Sequence, residues 1–337
     1  MQSKLAVSSS PFLRNTAVST RDLMLDVILA LLPTVVASVW FFGAPALALI
    51  LVSVFFAVLA EWVYKKLLHE KSTISDLSAV VTGLLLAFNL PASAPWWMAA
   101  IGSVIAIVLV KQLFGGIGQN FMNPALAART ILMLSWTGLM AANAMPNGGQ
   151  ILGLGKEAAD VVTSATPLVN GNYTLWQLMI GDVPGMLGET CKLTLILGGV
   201  YLILRQVIDW RVPVSFMATA FVLFWIQTGT IYSVQSGTDN AVYQLFSGGL
   251  ILGAFFMATD YVTCPVTRRG RVIMGVGCAL LLFVIRFYNN GYPEGCSFAI
   301  LFMNILTPLI DKFTAPRSFG VSKPAAQKSG RKGGAKA

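Results

Sequence analysis

"GLLLAFNLP", Gly83–Pro91, is an apolar run that Asn89 and Pro91 interrupt before it is long enough to cross a bilayer. A spanning helix needs about 20 mostly apolar residues, and the run holding this stretch, Leu77–Leu90, falls short. Similar text, "GLILGAF", recurs at Gly249–Phe255 in a second short run, Leu245–Thr259, which ends in "MATD". Short, glycine-interrupted segments at matching positions point to broken helices around a midplane site. Backbone that is not helical at that depth has to line a cavity or be buried in protein. The competing account is chance agreement in a Leu, Gly, Ala and Phe alphabet.

The surrounding chain supports the membrane reading. Its 337 residues are 56% hydrophobic and 11% charged, with a mean hydropathy of +0.73. Average soluble domains carry about 25% charged residues, so a water-soluble fold of this size could not cover its surface. The remaining apolar runs are Leu23–Phe42, Ala46–Tyr64, Trp96–Phe114, Met122–Met140, Glu189–Ile208, Val212–Tyr232, Val272–Tyr288 and Cys296–Ile310. With the two short runs they make ten spans, and the short ones are third and eighth, matching places in two five-span halves. Five is odd, so the second half runs inverted. The expected fold is an all-α polytopic membrane protein of ten transmembrane helices, two inverted five-helix halves with short or broken third and eighth spans.

Charge placement orients it. With the N-terminus in the cytoplasm, inner segments hold Lys4, Arg14, Arg21, Lys65, Lys66, Lys71, Lys111, Arg205, Arg211, Arg268, Arg269, Arg271 and a basic tail. Outer segments hold Lys156, with Lys192 and Arg286 near outer span ends. This divides the chain into a cytoplasmic N-terminal segment (1–22), the first half (23–140), an extracytoplasmic loop (141–188), the second half (189–310) and a cytoplasmic tail (311–337). Seven of the 23 basic residues lie from Lys312 onward, so the net charge of +9 marks a solvated tail facing anionic lipid and not a nucleic-acid surface. The N-terminus has no apolar core or cleavage site of a signal peptide.

Few residues offer chemistry. His69 is the only histidine, which excludes a histidine-based triad or zinc site within the chain. Cys191, Cys264, Cys278 and Cys296 are scattered, reading as small apolar residues or as ligands of a metal shared with a partner. The outer loop contains "DVVTSATPL", Asp160–Leu168. By its residues this is a turn in which hydroxyls bond local backbone and Pro167 stops a helix. Thr166 has no adjacent His or Lys base, so any reaction there needs an external enzyme, for which Asp160, Thr163, Ser164 and Ala165 form a small, accessible neighbourhood. Arg129 lies inside a span, where a charge is a functional candidate by default. Glu61 and Asp260 are the best-placed acids for binding Na⁺ or H⁺, although Glu61 also reads as a surface pair with Lys65 at i, i+4. Asp26 and Asp311 lie at inner span ends, within reach of solvent.

"DVVTSATPL" resembles the flavinylation motif of bacterial redox pumps, an acid followed by S/T-G-A-T, with Ser164 standing where the common motif has Gly. "GGIGQNFMNPALAAR" (Gly115–Arg129) and "FMATDYVTCPVTRRGR" (Phe256–Arg271) resemble the other two signatures of the same group, the RnfD/NqrB family, and the resemblance runs from about Pro11 to Thr314. It implies FMN bonded through its phosphate to Thr166 by a flavin transferase, making the chain a flavoprotein and a phosphoprotein. It also implies a second, non-covalent flavin, riboflavin or FMN, within the membrane. For that flavin Asn120 and Asn123 offer amide groups beside paired glycines. The same text reads as a helix cap with Pro124 in the first turn, and it is not a P-loop. Tyr173 and Trp176 are candidates for an aromatic wall, or for interface-belt residues.

The resemblance further implies a urea-channel-like fold in a bacterial inner membrane, both termini cytoplasmic. It implies a membrane component of a translocase, a ferredoxin:NAD⁺ oxidoreductase complex with a second flavinylated subunit and iron–sulfur subunits as partners. The Rnf branch fits better than the Na⁺-translocating NADH:quinone oxidoreductase branch, whose members carry an N-terminal extension longer than the 22 residues here. The chain itself has no nucleotide fingerprint or cysteine cluster, so the NAD and ferredoxin sites fall to partners. The rival from another class is a small-solute channel or transporter of the same architecture, which has no evident use for "DVVTSATPL".

Overall fold

The computed structural model describes residues 19–146, 166–171, 173–232, 240–289 and 294–315. Its elements are helices: α1 Thr20–Phe42, α2 Ala44–Leu67, a 3₁₀ turn Ile74–Asp76, α3 Ser78–Phe88, α4 Trp96–Val104 continuing as a π-helix Ile105–Gln112, and α5 Pro124–Ser135. Then come α6 Thr137–Met140, α7 Pro167–Asn170, α8 Leu175–Ile180, α9 Lys192–Leu204 and α10 Arg211–Thr228. The chain closes with α11 Ala241–Phe246, α12 Leu250–Leu252 continuing as a π-helix Gly253–Met257, α13 Arg268–Tyr288 and α14 Cys296–Thr314. The described residues contain no strand, only an isolated bridge between Pro91 and Met186.

Each apolar run of the sequence holds a helix. Five of these, α1, α2, α10, α13 and α14, are long and apolar enough to cross a membrane. The others are shorter, for reasons visible in the residues. Leu77 takes a left-handed conformation (φ 63°) and Asp76 caps Ser78 through N–H (2.9 Å) and hydroxyl (2.7 Å), so α3 starts late. Asn89 ends it. Its 11 residues rise roughly 16 Å, about half a hydrocarbon core. Nearly every residue of α3 is buried, as expected of a helix apolar all round. Gly83 permits this: a Cβ there would stand 2.8 Å from the Cα of Val54 on α2. The eighth run breaks at Gly248 (φ 68°), which separates α11 from α12.

The helix ends sort into two groups by contact. At the proximal end, where α1 starts, Thr267 and Thr314 hydroxyls meet at 2.5 Å and Asp26 of α1 binds Arg205 beyond α9 (3.2 Å). At the distal end Ser38 donates to the Leu187 carbonyl (2.7 Å) and Pro91 bridges to Met186. A single residue, Gly43 (φ 70°, ψ −149°), links α1 to α2 in backbone space that side chains essentially forbid. The two short helices meet between the ends: Asn89 Nδ2 donates to the Leu85 carbonyl (2.6 Å) and approaches Met257 Sδ (3.8 Å).

Candidate functional site

Arg129 of α5 is the hub of a buried charge cluster toward the distal end. One guanidinium nitrogen donates to Asn89 Oδ1 (2.9 Å), Ser297 Oγ (2.9 Å) and Glu189 Oε1 (3.2 Å). The other meets Glu294 Oε2 at 3.1 Å. Lys192, in the first turn of α9, donates to the Gly248 carbonyl (2.9 Å) and to the Glu189 carbonyl. Arg286 of α13 donates to the carbonyls of Gln244 (2.6 Å) and Ser247 (3.3 Å), its guanidinium 5.1 Å from the Phe224 ring centre. Three cations thus face two carboxylates. Burial, and then the charge of Glu189, push the Glu294 carboxyl up to about 7, against the lowering effect of Arg129, Lys192 and Arg286. Both carboxylates grip the one guanidinium of Arg129. Glu189 Oε2 has no hydrogen-bond partner among the described residues.

Pro167 and Leu168, the residues that follow Thr166, lie against this cluster. Thr166 is 8% exposed and opens α7, yet its side chain makes no capping bond. The Pro167 carbonyl accepts from Tyr243 Oη (3.0 Å), and Asn240 caps the Tyr243 N–H (2.8 Å). Leu168 packs on Gly248. Pro167, Glu189, Lys192, Gly248 and Glu294 line one cavity of about 10 Å³, at the threshold for a single water. Tyr173 packs against Leu178, Val183 and Tyr243, while Trp176 is exposed. Asp160, Thr163, Ser164 and Ala165 lie outside the described residues.

A cavity of about 300 Å³ opens at the proximal end, and Asn120, Asn123 and Asp260 all line it. Its walls are Val81, Leu85, Phe255 and Phe256, with Thr82, Lys111 and Thr259 as polar points. Asn123 is the cap of α5 and also reaches the eighth segment. Its Oδ1 caps α5 through Ala125 (3.1 Å) and Leu126 (3.3 Å), and its Nδ2 donates to the Met257 carbonyl (3.3 Å) at the end of the eighth segment. Asn120 follows a loop in which Gly115, Gly116 and Gly118 have φ of 109°, 91° and 90°, values that require glycine. Burial holds the Asp260 carboxyl above its ordinary range, opposed by hydrogen bonds with Val262, Thr263 and Tyr261.

Glu61 corrects one expectation. It is fully buried and paired with Lys111 Nζ (2.8 Å), not with Lys65, which turns to Glu70 (2.5 Å). The wide turns of the π-helix in α4 carry Lys111 to α2, and Thr73 and Ser78 hydroxyls complete the site. Asp26 is also withdrawn from solvent, under Tyr201 (3.0 Å) and Arg205. Asp311 accepts from the Val266 N–H (3.1 Å). Arg129 stands out in the sequence as a charge within an apolar run; its partners Glu189 and Glu294 do not, nor does Lys111. The cysteines are free, and no group of three or more metal-ligating residues gathers among the described residues.

Residues 6–320 match the profile of the NQR2, RnfD, RnfE family. Relatives include the Acetobacterium woodii member, a component of a "Na(+)-translocating ferredoxin:NAD(+) oxidoreductase complex", 46% identical over 95% of this chain and 96% of the relative. The Clostridium ljungdahlii member, from a "Proton-translocating ferredoxin:NAD(+) oxidoreductase complex", is 40% identical over 94% of this chain and 96% of the relative. An Escherichia coli member, from an "Ion-translocating oxidoreductase complex", is 36% identical over 94% and 99%.

Proposed function

This chain belongs to the NQR2, RnfD, RnfE family, and we propose that it is the membrane electron-transfer subunit of an ion-translocating ferredoxin:NAD⁺ oxidoreductase complex, carrying FMN on Thr166 and a second, non-covalent flavin. Ten helical segments, in two inverted halves, cross the membrane in this reading, with Thr166 outside. The observation that carries it is the meeting of both signature stretches at one cavity: Asn123 and Met257, from segments far apart in sequence, share a hydrogen bond (3.3 Å) beside Asn120 and Asp260.

The residues fit the two groups. A volume of about 300 Å³ is at the lower bound of ligand pockets, and the lining has their character, apolar walls with a few convergent polar groups. Phe255 and Phe256 supply flat apolar surface, while Asn120 and Asp260 offer hydrogen-bonding atoms to ring edges or ribityl hydroxyls. Thr166 has a hydroxyl not engaged in capping, so esterification costs the fold no hydrogen bond there. At 8% exposure it is closed to a transferase in this conformation, so modification precedes or transiently undoes the docking of Pro167 under Tyr243. Bound flavin supplies one- and two-electron redox chemistry; the chain binds, orients and sets local charge. Pro167, next to Thr166, shares a cavity with Lys192 of the cluster in which three cations face two carboxylates, a balance that favours an anionic group nearby. Asp260 and the Glu61–Lys111 pair are the candidates for ion coupling; the relatives named for Na⁺ and for protons leave the ion to this chain's own residues.

The test is in-gel ultraviolet fluorescence of the denatured subunit after co-expression with a flavin transferase. A band in the wild type that Thr166→Val abolishes supports the reading, as does release of a second flavin by acid precipitation. No band in either lane, with the transferase active on a control, sinks it.

A further inference from the structure

The proximal end holds a second opening, of about 660 Å³, which adjoins the flavin cavity at Ile208, Thr259 and Tyr261 but has its own charged lining. It lies between the loop that joins α9 to α10 and the stretch that leads into α13. Its charged lining is Asp209, Arg211, Arg268 and Arg271, three arginines against one aspartate, hence net +2. Asp209 holds two of them, Arg211 at 2.8 Å and Arg271 at 2.5 Å, and accepts the Arg211 N–H (3.0 Å). Arg271 Nε is tied to the Pro265 carbonyl (3.1 Å). The arginines are thus fixed in place while their charge is only partly neutralised, and Arg268 is exposed at the rim.

The rest of the lining is amphipathic. Trp210 (52% exposed) and Tyr261 (49%) flank the opening, and Val266 (78%) continues its apolar edge. Leu204 (77%), next in the chain to Ile203 of the lining, and Val200 and Leu197 on the turns before it expose a flank of α9. Tryptophan and tyrosine at span ends mark headgroup depth, and basic pockets between helices at that depth take anionic headgroups. A free phosphate has no use for the apolar flank.

We propose that this opening is a binding site for an anionic phospholipid, its phosphate held by Arg211, Arg268 and Arg271 and its acyl chains laid along the exposed flank of α9. Arg268 and Arg211 contribute charge to the phosphate; Asp209 positions Arg211 and Arg271 and weakens the site by its own charge.

The test is native mass spectrometry of the full chain in detergent, titrated with phosphatidylglycerol, phosphatidylcholine of the same chains, inorganic phosphate, or a decaglutamate peptide. Phosphatidylglycerol should bind in preference to phosphatidylcholine. Arg268→Gln should weaken it about fivefold, Arg211→Gln with Arg268→Gln about 25-fold, and Lys66→Gln, an equal charge change elsewhere at this end, should leave it unchanged. Asp209→Asn should tighten binding, a gain that misfolding cannot imitate. Equal retention of the two lipids, or an equal effect of Lys66→Gln, overturns the proposal. Displacement by inorganic phosphate reassigns the opening to free phosphate, and displacement by decaglutamate to an acidic protein segment; both outcomes reject the lipid.

Discussion

Replacing Arg129 by Met tests whether the distal cluster is held by its guanidinium. The side chain is 4% exposed, and its loss strips Glu189 and Glu294 of their shared cation and Asn89 Oδ1 and Ser297 of a donor. At an effective dielectric of about 20, a pair 3.2 Å apart is worth roughly 5 kcal/mol before desolvation. Breaking a buried pair by removing one partner costs about 3–5 kcal/mol. Glu294 can take up a proton near neutrality, and Lys192 stays nearby, so the lower figure, about 3 kcal/mol, is expected. An unfolding entropy of about 2.1 cal/mol/K per residue over 337 residues converts this to a fall of roughly 4 °C in Tm. The assay is thermal unfolding in one detergent at pH 7.5 of the wild type, Arg129→Met, Glu189→Gln and the double variant. The double variant buries no unpaired charge at these positions and should recover at least about 1 kcal/mol relative to the sum of the single effects. A single variant within about 1 °C of wild type, or strict additivity, would refute the reasoning.

Glu294→Gln should change how stability depends on pH. A carboxyl raised above its unfolded value stabilises the fold while protonated, and that contribution is lost as pH rises towards and through about 7. The variant should therefore gain on the wild type between about pH 5 and pH 8; parallel melting curves across that range would reject the protonation of Glu294. Gly198→Ala places a methyl against the Ala30 carbonyl on α1 and should cost about 1–3 kcal/mol. Gly138→Ala, with open space around it in α6, should be neutral or stabilise by about 0.5–1 kcal/mol; equal melting temperatures for the two variants would refute the packing argument. Tyr243→Phe deletes the hold on Pro167, worth about 1 kcal/mol. It should speed flavin attachment at Thr166, measured as growth of gel fluorescence with time, and an unchanged rate would separate that bond from access.

The breaks in the fold were legible because glycine, asparagine and proline act locally. Asn89 ends α3 where the apolar run stops, and Gly248 splits the eighth segment inside its apolar run, a glycine interruption of the kind the sequence suggested. Asn123 and Pro124 announce the start of α5. Partner choice was not legible. Glu61 has a lysine one turn away, yet the helix that packs across from it brings Lys111 within 2.8 Å. Arg129 stood out as a charge within an apolar run, but Glu189 read as the mere start of a span and Glu294 as a loop residue, because nothing local signals that they turn inward to Arg129. The termini of runs misled in the same way: Asp26 sits where solvent was expected and is covered by Tyr201.

The meeting of the two short helices has an electrical consequence. Leu85 lines the proximal cavity, and Asn89, four residues on, is hydrogen-bonded to Arg129. Only roughly 6 Å of helix rise separates them, and Leu86, Phe88 and Asn89 are all at 0% exposure. A voltage across the bilayer drops across its dry material, which here includes both this turn and the buried Arg129 cluster beyond it. A charge displaced from the cavity past Leu86 to Arg129 would therefore cross a share of the field, and gain or lose that share of the about 2.3 kcal/mol per 100 mV that the full membrane offers.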